Sequence, residues 1–506
     1  MFSRFVVPLQ VFPLLVASMI MSPAFLRAAA PDAKPINLNV VAVDSNLQPV
    51  TDLTQDEFRI TDEGRNQPIA FFRHPNAGPS ALPSLGPGEY SNRDKTNARH
   101  VTVILFDMLN QRVATESITS NLMVRQLSTI EDAEDVFLYA LTLDGKLSPI
   151  HGLDGSEPGA NPQENYQNKE PWTHRIKPLM DETMRSLQKV RPGDTNIINV
   201  RIDLTFKALQ NLAAQLSAYP GRKNVVWVTD GIPVALSAPL SQTGSAIDFT
   251  TQFRQMGERF AKAQVAIYPV PQFMMGSADA VNGDLNSIEA LNTMAGLTGG
   301  RPGAANDIGK TLQQAMRDLQ VNYRIGYYPA EDTMDGKFHD LRVTCTRKGV
   351  RIQTRTGYLA VKETDAARAD RATGDALKTR AEAAEIGLRA LLTPDPKAAH
   401  QTDMALRIAA ENVALTQDGE RMSAQLRLTL VLYRKDGSAM GLAVVPLKFS
   451  YDAAGREKAL RDGIEFNRSL SLDGVAMIRA IAFDFESEAV GSLAVPLDPD
   501  VAASMK

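Results

Sequence analysis

Two aspartates in the sequence each close a short apolar run. Asp107 ends VTVILFD (101–107), and Asp230 follows the apolar part of KNVVWVTDG (223–231). Continuous β-branched runs of this length predict strands that are buried on both faces. Because ligands bind beyond the carboxyl ends of the strands in an open α/β sheet, we expect both carboxylates at one rim. Two carboxylates with a nearby hydroxyl form a group that can hold Mg²⁺, which prefers oxygen ligands.

The hydroxyl of such a site is predicted to come from a threonine. Thr205 is the first candidate, because it is expected near the start of the helix that precedes the Asp230 strand, and Thr195 is the second. The alternative is structural: Asp107 and Asp230 cap helices or accept hydrogen bonds from loop amides at the strand ends. The residues alone leave both interpretations open.

The segments around these residues alternate between apolar runs and amphipathic stretches. Strands are predicted at 101–107, 135–142, 223–231, 265–271 and 322–329. Helices are predicted near 114–130, 174–190, 203–218, 248–263, 285–296 and 307–320. Strands that alternate with helices at this spacing predict an α/β fold with a doubly wound, Rossmann-like sheet over residues 99–329.

Segments on both sides of this unit have the period-two pattern of antiparallel strands. Residues 36–74 predict a small N-terminal β-layer, and residues 330–361 predict a β-hairpin that turns at Lys348-Gly349. Six alternating runs over 401–498 predict a C-terminal antiparallel β-sandwich of immunoglobulin-like type. The connecting segments are predicted to be a Pro/Gly/Ser-rich linker over 75–98 and a helical connector over 362–400.

Residues 1–30 have the layout of a secretory signal peptide. Arg4 precedes an almost uncharged apolar run over 5–21, and the small residues Ala28 to Ala30 follow. The alternative is an N-terminal membrane anchor, since the run is close to the ~20 residues that a span needs. No later stretch is as long and as apolar, so we expect no transmembrane segment in the mature chain. The protein is therefore predicted to be exported, and to be periplasmic or secreted.

Composition excludes several classes of function. The formal net charge is −4, from 54 Lys and Arg against 58 Asp and Glu, so no basic field is present to hold nucleic acid. The six histidines never occur at HxxxH spacing, which removes the common zinc-hydrolase helix. A single cysteine, Cys345, can form neither an intrachain disulfide nor a cysteine metal cluster.

Several motifs, taken in order, resemble a known family. VILFDMLN, TFKAL, GRKNVVWVTDG and VAIYPV are similar to the corresponding parts of a von Willebrand factor A domain. VVAVDSNLQPVTDLTQDEFRITDEG, LTGGR, YRIGYYP, DGKFHDLRV and KGVRIQTRTGY resemble exported bacterial von Willebrand factor A-related proteins that carry a flanking β-layer. The resemblance covers roughly residues 36–361.

This resemblance implies a metal-ion-dependent adhesion site. In that pattern an Asp-x-Ser-x-Ser motif, a threonine and a later aspartate hold a divalent cation, and a carboxylate of the partner completes the ligand shell. Asp107, Thr205 and Asp230 match the pattern, whereas Leu109 and Gln111 stand at the two serine positions. Gln111 or its neighbour Asn110 can offer an amide oxygen instead. The implied cation is Mg²⁺ or Mn²⁺, in a degenerate site.

The function predicted from these observations is protein binding without catalysis, as an adhesion or scaffold protein. The predicted partner-binding residues are Asp107, Asn110, Thr205 and Asp230, with a cation bridging to an acidic side chain of an unidentified protein. One alternative is an extracytoplasmic hydrolase in which the two acids share a metal that activates water. Another is a structural subunit of an envelope assembly that makes its contacts through the C-terminal β domain.

Overall fold

A computed structural model describes most of the chain between residues 35 and 497. The described residues are 35–74, 85–86, 88–93, 101–111, 136–153, 172–187, 195–217, 219, 221–232, 249–272, 280–319, 321–330, 333–378, 382–394 and 401–497. The predicted signal peptide and the helix predicted near 114–130 lie outside them. Within these ranges the fold is mixed α/β, with several sheets and more strands than helices.

The secondary structure of the described residues comprises 22 strands and seven α-helices. The strands are β1 Ile36–Val43, β2 Phe58–Asp62, β3 Arg65–Gln67, β4 Phe71–Arg73, β5 Glu89–Ser91, β6 Thr102–Asp107, β7 Val136–Leu141, β8 Leu147–His151, β9 Lys223–Thr229, β10 Val265–Pro271, β11 Asn322–Tyr327, β12 Phe338–Cys345, β13 Arg351–Gln353, β14 Gly357–Leu359, β15 Leu388–Pro394, β16 Gln401–Ile408, β17 Thr416–Asp418, β18 Arg421–Tyr433, β19 Ala439–Tyr451, β20 Ile464–Ser471, β21 Met477–Asp484 and β22 Val490–Pro496. The helices are α1 Trp172–Leu187, α2 Thr195–Leu216, α3 Thr250–Lys262, α4 Ala280–Thr298, α5 Ile308–Leu319, α6 Asp365–Lys378 and α7 Ala453–Asp462.

The central sheet has the strand order β10-β9-β6-β7-β8. Its first four strands are parallel, and β8 returns antiparallel to β7 at the edge. Every residue of β6, β7 and β9 is buried, as their continuous apolar runs predict. One face packs against residues of α2, α3 and α4, and the other against residues of α1 and α5. Helices thus cover both faces of the sheet.

Strand β6 lies at the point where the strand order reverses. The chain runs from β6 outward to β7 and β8, and then crosses to the other side of β6 to form β9 and β10. In open α/β sheets, loops leave the strands in different directions at such a point, and ligands bind in the crevice between them. Asp107 is the last residue of β6, and Asp230 directly follows β9.

A second unit of eight strands packs two small sheets around one core. The sheet orders are β13-β1-β11-β4 and β14-β12-β2-β3. The last strand predicted for the parallel sheet, 322–329, is here instead: β11 pairs antiparallel with β1 and β4. Its alternate residues Tyr323, Ile325 and Tyr327 are buried in this core, and the Tyr323 hydroxyl donates to the carbonyl of Val50 at 2.8 Å. Tyrosines anchored in this way fix β11 to the N-terminal layer.

The hairpin predicted over 330–361 is more complex in the structure. The turn at Lys348-Gly349 is present, and Gly349 has a φ of 80°, which glycine adopts at little cost. Beyond the turn, however, β13 pairs with β1, and only β14 returns to pair with β12. The two arms of the turn therefore contribute to different sheets. These two sheets share one core.

Two antiparallel sheets with a common core form the C-terminal unit. One has the order β20-β16-β15-β5, and the other has β17 and β18 followed by β21 and β22, with β19 also paired to β18. Strand β15 lies within the predicted helical connector, whose described residues form one helix, α6, and β5 lies within the predicted linker. Both strands extend the predicted sandwich beyond 401–498. The predicted domain bounds themselves stay a prediction.

None of the helices in the described ranges is long and apolar enough to cross a membrane.

Candidate functional site

The Asp107 carboxylate is the centre of a buried polar cluster at the end of β6. Its Oδ1 accepts a hydrogen bond from the Asn110 backbone N–H at 3.0 Å. Its Oδ2 accepts from the Asn110 Nδ2 at 2.8 Å, from the Thr229 hydroxyl at 2.9 Å and from the Trp227 Nε1 at 3.2 Å. Four donors on one carboxylate leave at most one lone pair, on Oδ1, for another group.

Asn110 joins this carboxylate to α2. Its Nδ2 donates to Asp107 Oδ2 and also to Thr205 Oγ1, at 2.8 Å in each case. Both hydrogens of one side-chain amide are thereby used. The amide oxygen of Asn110 is buried and has no hydrogen-bond partner among the described residues.

Thr205 reaches the cluster from the middle of a helix rather than from its start. Helix α2 begins at Thr195, ten residues before Thr205, whereas the sequence predicted a start at 203. The Thr205 side chain is fully buried, and its hydroxyl donates to the Arg201 carbonyl at 2.7 Å. Its oxygen accepts from Asn110, so the hydroxyl is held from both sides. The side chain of Thr195 lies outside the described residues.

Asp230 and Gln111 lie beside the cluster and line a shallow pocket. Asp230 is 3% exposed and Gln111 is 8% exposed. The pocket also includes Asp107, Met108 and Met180 in its lining, and its cavity volume is about 10 Å³. This is the space of about one water molecule, so a partner group has to contact the rim of the pocket rather than fill it.

Burial raises the pKa of Asp107 above its ordinary value. The hydrogen bonds from Asn110, Thr229 and Trp227 act in the opposite direction, since they stabilise the charged form, but burial is the largest effect. A carboxylate in this position is screened from water and held by protein donors. It is better suited to fixing the geometry of the loop than to exchanging protons with a substrate.

The residue at the first serine position of the adhesion-site pattern has a different role here. Leu109 is 2% exposed and belongs to the core that also contains Leu105 and Trp227. Its neighbour Met108 packs into the core on the opposite face of the sheet. The segment after β6 is therefore anchored by apolar packing at positions where the pattern places a hydroxyl ligand.

These residues do not fit a Mg²⁺ or Mn²⁺ ion in the arrangement found. The amide hydrogens of Asn110 point at the two oxygens, of Asp107 and Thr205, that a cation would need. Octahedral coordination tolerates little displacement of its ligands. In the described part of the chain, no group of three or more His, Cys, Asp and Glu side chains could hold a metal.

Two donors in the cluster were not singled out from the sequence. Trp227 and Thr229 lie two residues apart on β9, so both side chains project from the same face of the strand. The signal for them was present in VVWVTDG, where a tryptophan and a threonine interrupt an aliphatic run. Both carry a side-chain donor, and a buried donor needs a partner.

Comparison with known proteins gives distant similarities to solved structures. No protein-family model matches the sequence, and no curated protein matches it significantly. Among solved structures, the human COPII-coat protein Sec24c is similar over 55% of this chain and 47% of its own, at 12% identity and a TM-score of 0.23. The pilus adhesin SpaC from Lactobacillus rhamnosus GG is similar over 88% of this chain and 61% of its own, at 9% identity and a TM-score of 0.19.

The chain therefore spans less than two thirds of the length of either of these structures. TM-scores this low carry no argument about the fold or the function of the chain.

Proposed function

We propose that the chain is an exported von Willebrand factor A-related protein that binds a protein partner and catalyses no reaction. The observation that carries the proposal is the direct link between Asp107, Asn110 and Thr205 at the carboxyl end of β6. These residues come from two separate elements and form one buried cluster beside the pocket that Asp230 lines. Loops and strand ends at such a switch in strand order are the usual ligand-binding edge of an open sheet.

The von Willebrand factor A assignment is part of this proposal. It is supported by the strand order of the central sheet, by helices on both of its faces and by the motifs quoted from the sequence. A doubly wound, Rossmann-like fold accounts for all three. Export is supported by the signal-like composition of residues 1–30.

The hydrolase alternative receives less support. A metal-activated water needs ligands with free lone pairs and an open coordination position. Asp107 has little capacity left for a metal, because four protein donors occupy it. Binding of an acidic side chain of the partner depends on a cation at the same place. Without one, the Asp230 carboxylate and the Gln111 amide favour a partner group that donates hydrogen bonds.

A photo-crosslinking experiment tests the proposed surface. Val200 lies on α2, five residues before Thr205, and is 57% exposed. Met316 on α5 is 37% exposed and provides the control position at the opposite end of the sheet, since the carbonyl of its neighbour Ala315 accepts a hydrogen bond from Asn224 at the start of β9. A photoreactive amino acid at position 200, in protein expressed in its own host, is expected to give one discrete protein adduct that Asp230→Ala weakens.

The same probe at position 316 is expected to give no such adduct. Equal adducts at both positions, or an adduct at position 200 that does not respond to Asp230→Ala, would contradict binding at this rim. Identifying the adduct by mass spectrometry then allows the affinity of the purified pair to be measured for both variants.

A second candidate function is favoured by one observation in the C-terminal unit. Strand β19, of 13 residues, pairs with β18 on one edge, and no other described strand pairs with its second edge. Leu442 and Val444 on this strand are 68% and 50% exposed. An open edge with apolar side chains can accept a strand from another protein, as in β-augmentation. Pro446 has no N–H to donate and interrupts the edge, which leaves the part before it for pairing.

This candidate predicts that a structural partner is lost on Leu442→Lys with Val444→Lys and retained on Asp230→Ala. The proposed rim function predicts the opposite pattern. Both variants change exposed or loop positions, so circular dichroism and melting temperature serve to check that each protein is folded.

A further inference from the structure

The Asn110 side chain makes a contact that an adhesion site assigns to its metal. One nitrogen, Nδ2, lies 2.8 Å from Asp107 Oδ2 and 2.8 Å from Thr205 Oγ1. In the pattern that the sequence resembles, the cation binds between the aspartate and the threonine. The two amide hydrogens carry positive partial charge, and they are directed at these same two oxygens.

We propose that the side-chain amide of Asn110 takes the place of a cation between Asp107 and Thr205, so that hydrogen bonds assemble the rim and its partner binds without a metal. The statement about a partner rests on the proposed function. The statement about the amide stands by itself, because it concerns only residues of this chain.

The backbone holds Asn110 in the required position. Its own N–H donates to Asp107 Oδ1 at 3.0 Å, which closes a tight turn immediately after β6. Leu109 is locked in the core on one face of the sheet and Met108 on the other, so the turn has little freedom to shift. The amide is therefore presented to Asp107 and Thr205 by a segment that is fixed at every residue.

A cation could enter only if the amide turned over. Rotation would replace Nδ2 by the amide oxygen, which would then face the Oδ2 of Asp107. Two oxygens without a hydrogen between them repel, and both hydrogen bonds of the amide would be lost. The positive charge of the cation would have to offset both effects, in a site that has lost its two serine ligands.

The wild-type protein gives the first test. The mature chain is titrated with MnCl₂ in a calorimeter, and its melting temperature is measured with EDTA and with excess Mn²⁺. We expect no saturable binding at this site and the same melting temperature in both solutions. Saturable binding that raises the melting temperature, and that Asp107→Ala abolishes, would overturn the proposal.

The second test makes the cation necessary. In Asn110→Asp a second carboxylate replaces the amide beside Asp107, and the two negative charges repel. We expect a melting temperature that is lower than that of the wild type in EDTA, that Mn²⁺ restores, and that is accompanied by new saturable Mn²⁺ binding. Asn224→Asp is the matched control, since Asn224 is fully buried at the opposite end of the same sheet. That variant is expected to lose stability without recovery by Mn²⁺.

Asn110→Ser keeps the test decisive if the aspartate variant does not fold. Serine removes the bridging amide and leaves a hydroxyl that can bind a metal, so Mn²⁺ is expected to raise the melting temperature of this variant but not that of the wild type. If neither variant responds to Mn²⁺, the amide is not what excludes the cation, and the proposal is overturned. A partner that requires Mg²⁺ or Mn²⁺ would overturn it as well, while leaving the proposed function intact.

Discussion

Thr229 on β9 donates its hydroxyl to Asp107 on β6, and the Oγ1–Oδ2 distance is 2.9 Å. The Oγ1 of Thr229 also accepts a hydrogen bond from the Gly231 N–H, at 3.0 Å. One hydroxyl thus ties together the ends of two adjacent strands and the loop that carries Asp230.

Replacing this hydroxyl gives the first prediction. Thr229→Val keeps the size and the β-branch but removes one donor to a buried carboxylate and one acceptor for a backbone N–H. We expect a loss of about 1–3 kcal/mol in the free energy of unfolding, measured by urea denaturation. Thr229→Ser retains the hydroxyl and is expected to lose less. Equal losses for the two variants would show that packing, rather than the hydrogen bonds, is responsible.

Gly231 provides the second prediction. Its φ is 98°, and a Cβ built on it would lie 2.5 Å from the Cβ of Ser287 on α4. Gly231→Ala is therefore expected to destabilise the protein by about 2 kcal/mol or more, through backbone strain and a steric clash. Adding Ser287→Gly removes the clash but not the strain. The double variant should recover part of the loss in melting temperature, and no recovery would contradict the assigned contact.

Lys223 gives a prediction about pH. Its side chain is fully buried at the start of β9, and burial lowers its pKa to about 8. Since the unfolded chain binds this proton up to its ordinary value of 10.5, wild-type stability should rise as the pH increases from about 8 towards 10.5. Lys223→Met is expected to be more stable than wild type at pH 7, by about 1–3 kcal/mol, and this advantage should shrink by pH 10.

The control for this experiment is Lys207→Met. Lys207 is exposed on α2 and pairs with Asp203 across one helical turn, a contact worth little in water. We expect its effect on stability to be small and nearly independent of pH between 7 and 10. A pH dependence of similar size in both variants would contradict the role given to burial.

A buried cluster in the N-terminal layer gives the fourth prediction. Asp62 accepts hydrogen bonds from the Tyr327 and Tyr358 hydroxyls, both at 2.9 Å. The pKa of both tyrosines is raised above the ordinary value. Burial is the largest cause, and the nearby Asp62 adds to it. Tyr327→Phe is expected to cost about 1–2 kcal/mol. Tyr327→Phe with Tyr358→Phe is expected to cost more than the sum, because Asp62 then loses both hydroxyl donors while it remains buried.

The Asp62 carboxylate also offers a check on this cluster. Asp62→Asn removes the charge at the same size, so the two tyrosine variants should cost less in that background. A double-mutant cycle measured by urea denaturation gives the coupling between Asp62 and each tyrosine directly. A coupling near zero for both would contradict the described hydrogen bonds.

The rim could be predicted from sequence because its strands are so uniform. Continuous apolar runs before Asp107 and Asp230 predicted two inner strands of one sheet, and the structure places β6 and β9 side by side. The role of Asn110 could not be predicted, because the adhesion-site pattern directs attention to oxygen ligands. An amide that uses its nitrogen leaves no distinct mark in a sequence.

Other differences have a common physical cause. Strand β11 follows helix α5, as β9 follows α2 and β10 follows α3, but its tyrosines find their partners in the N-terminal layer rather than in the parallel sheet. Strand β15 continues a segment rich in Ala, Arg and Glu, and its own residues, LRALLTP, also favour a helix locally. Pairing with β5 on one side and β16 on the other overrides that preference and makes these residues a strand. In both cases contacts with residues far away in sequence determine the secondary structure and its position, and these contacts cannot be read from the local pattern.

Strand β1 lies between β11 and β13, so the beginning of the described chain completes its sheet only with residues from much later. The hydrogen bond from Leu53 to the Tyr323 hydroxyl spans 270 positions in sequence. Loop closure over such a distance is slow, and it must wait until the intervening segments are available. Because synthesis starts at the N-terminus, these early strands would stay unpaired while the α/β unit forms. The N-terminal layer is therefore expected to be among the last parts of the described fold to close.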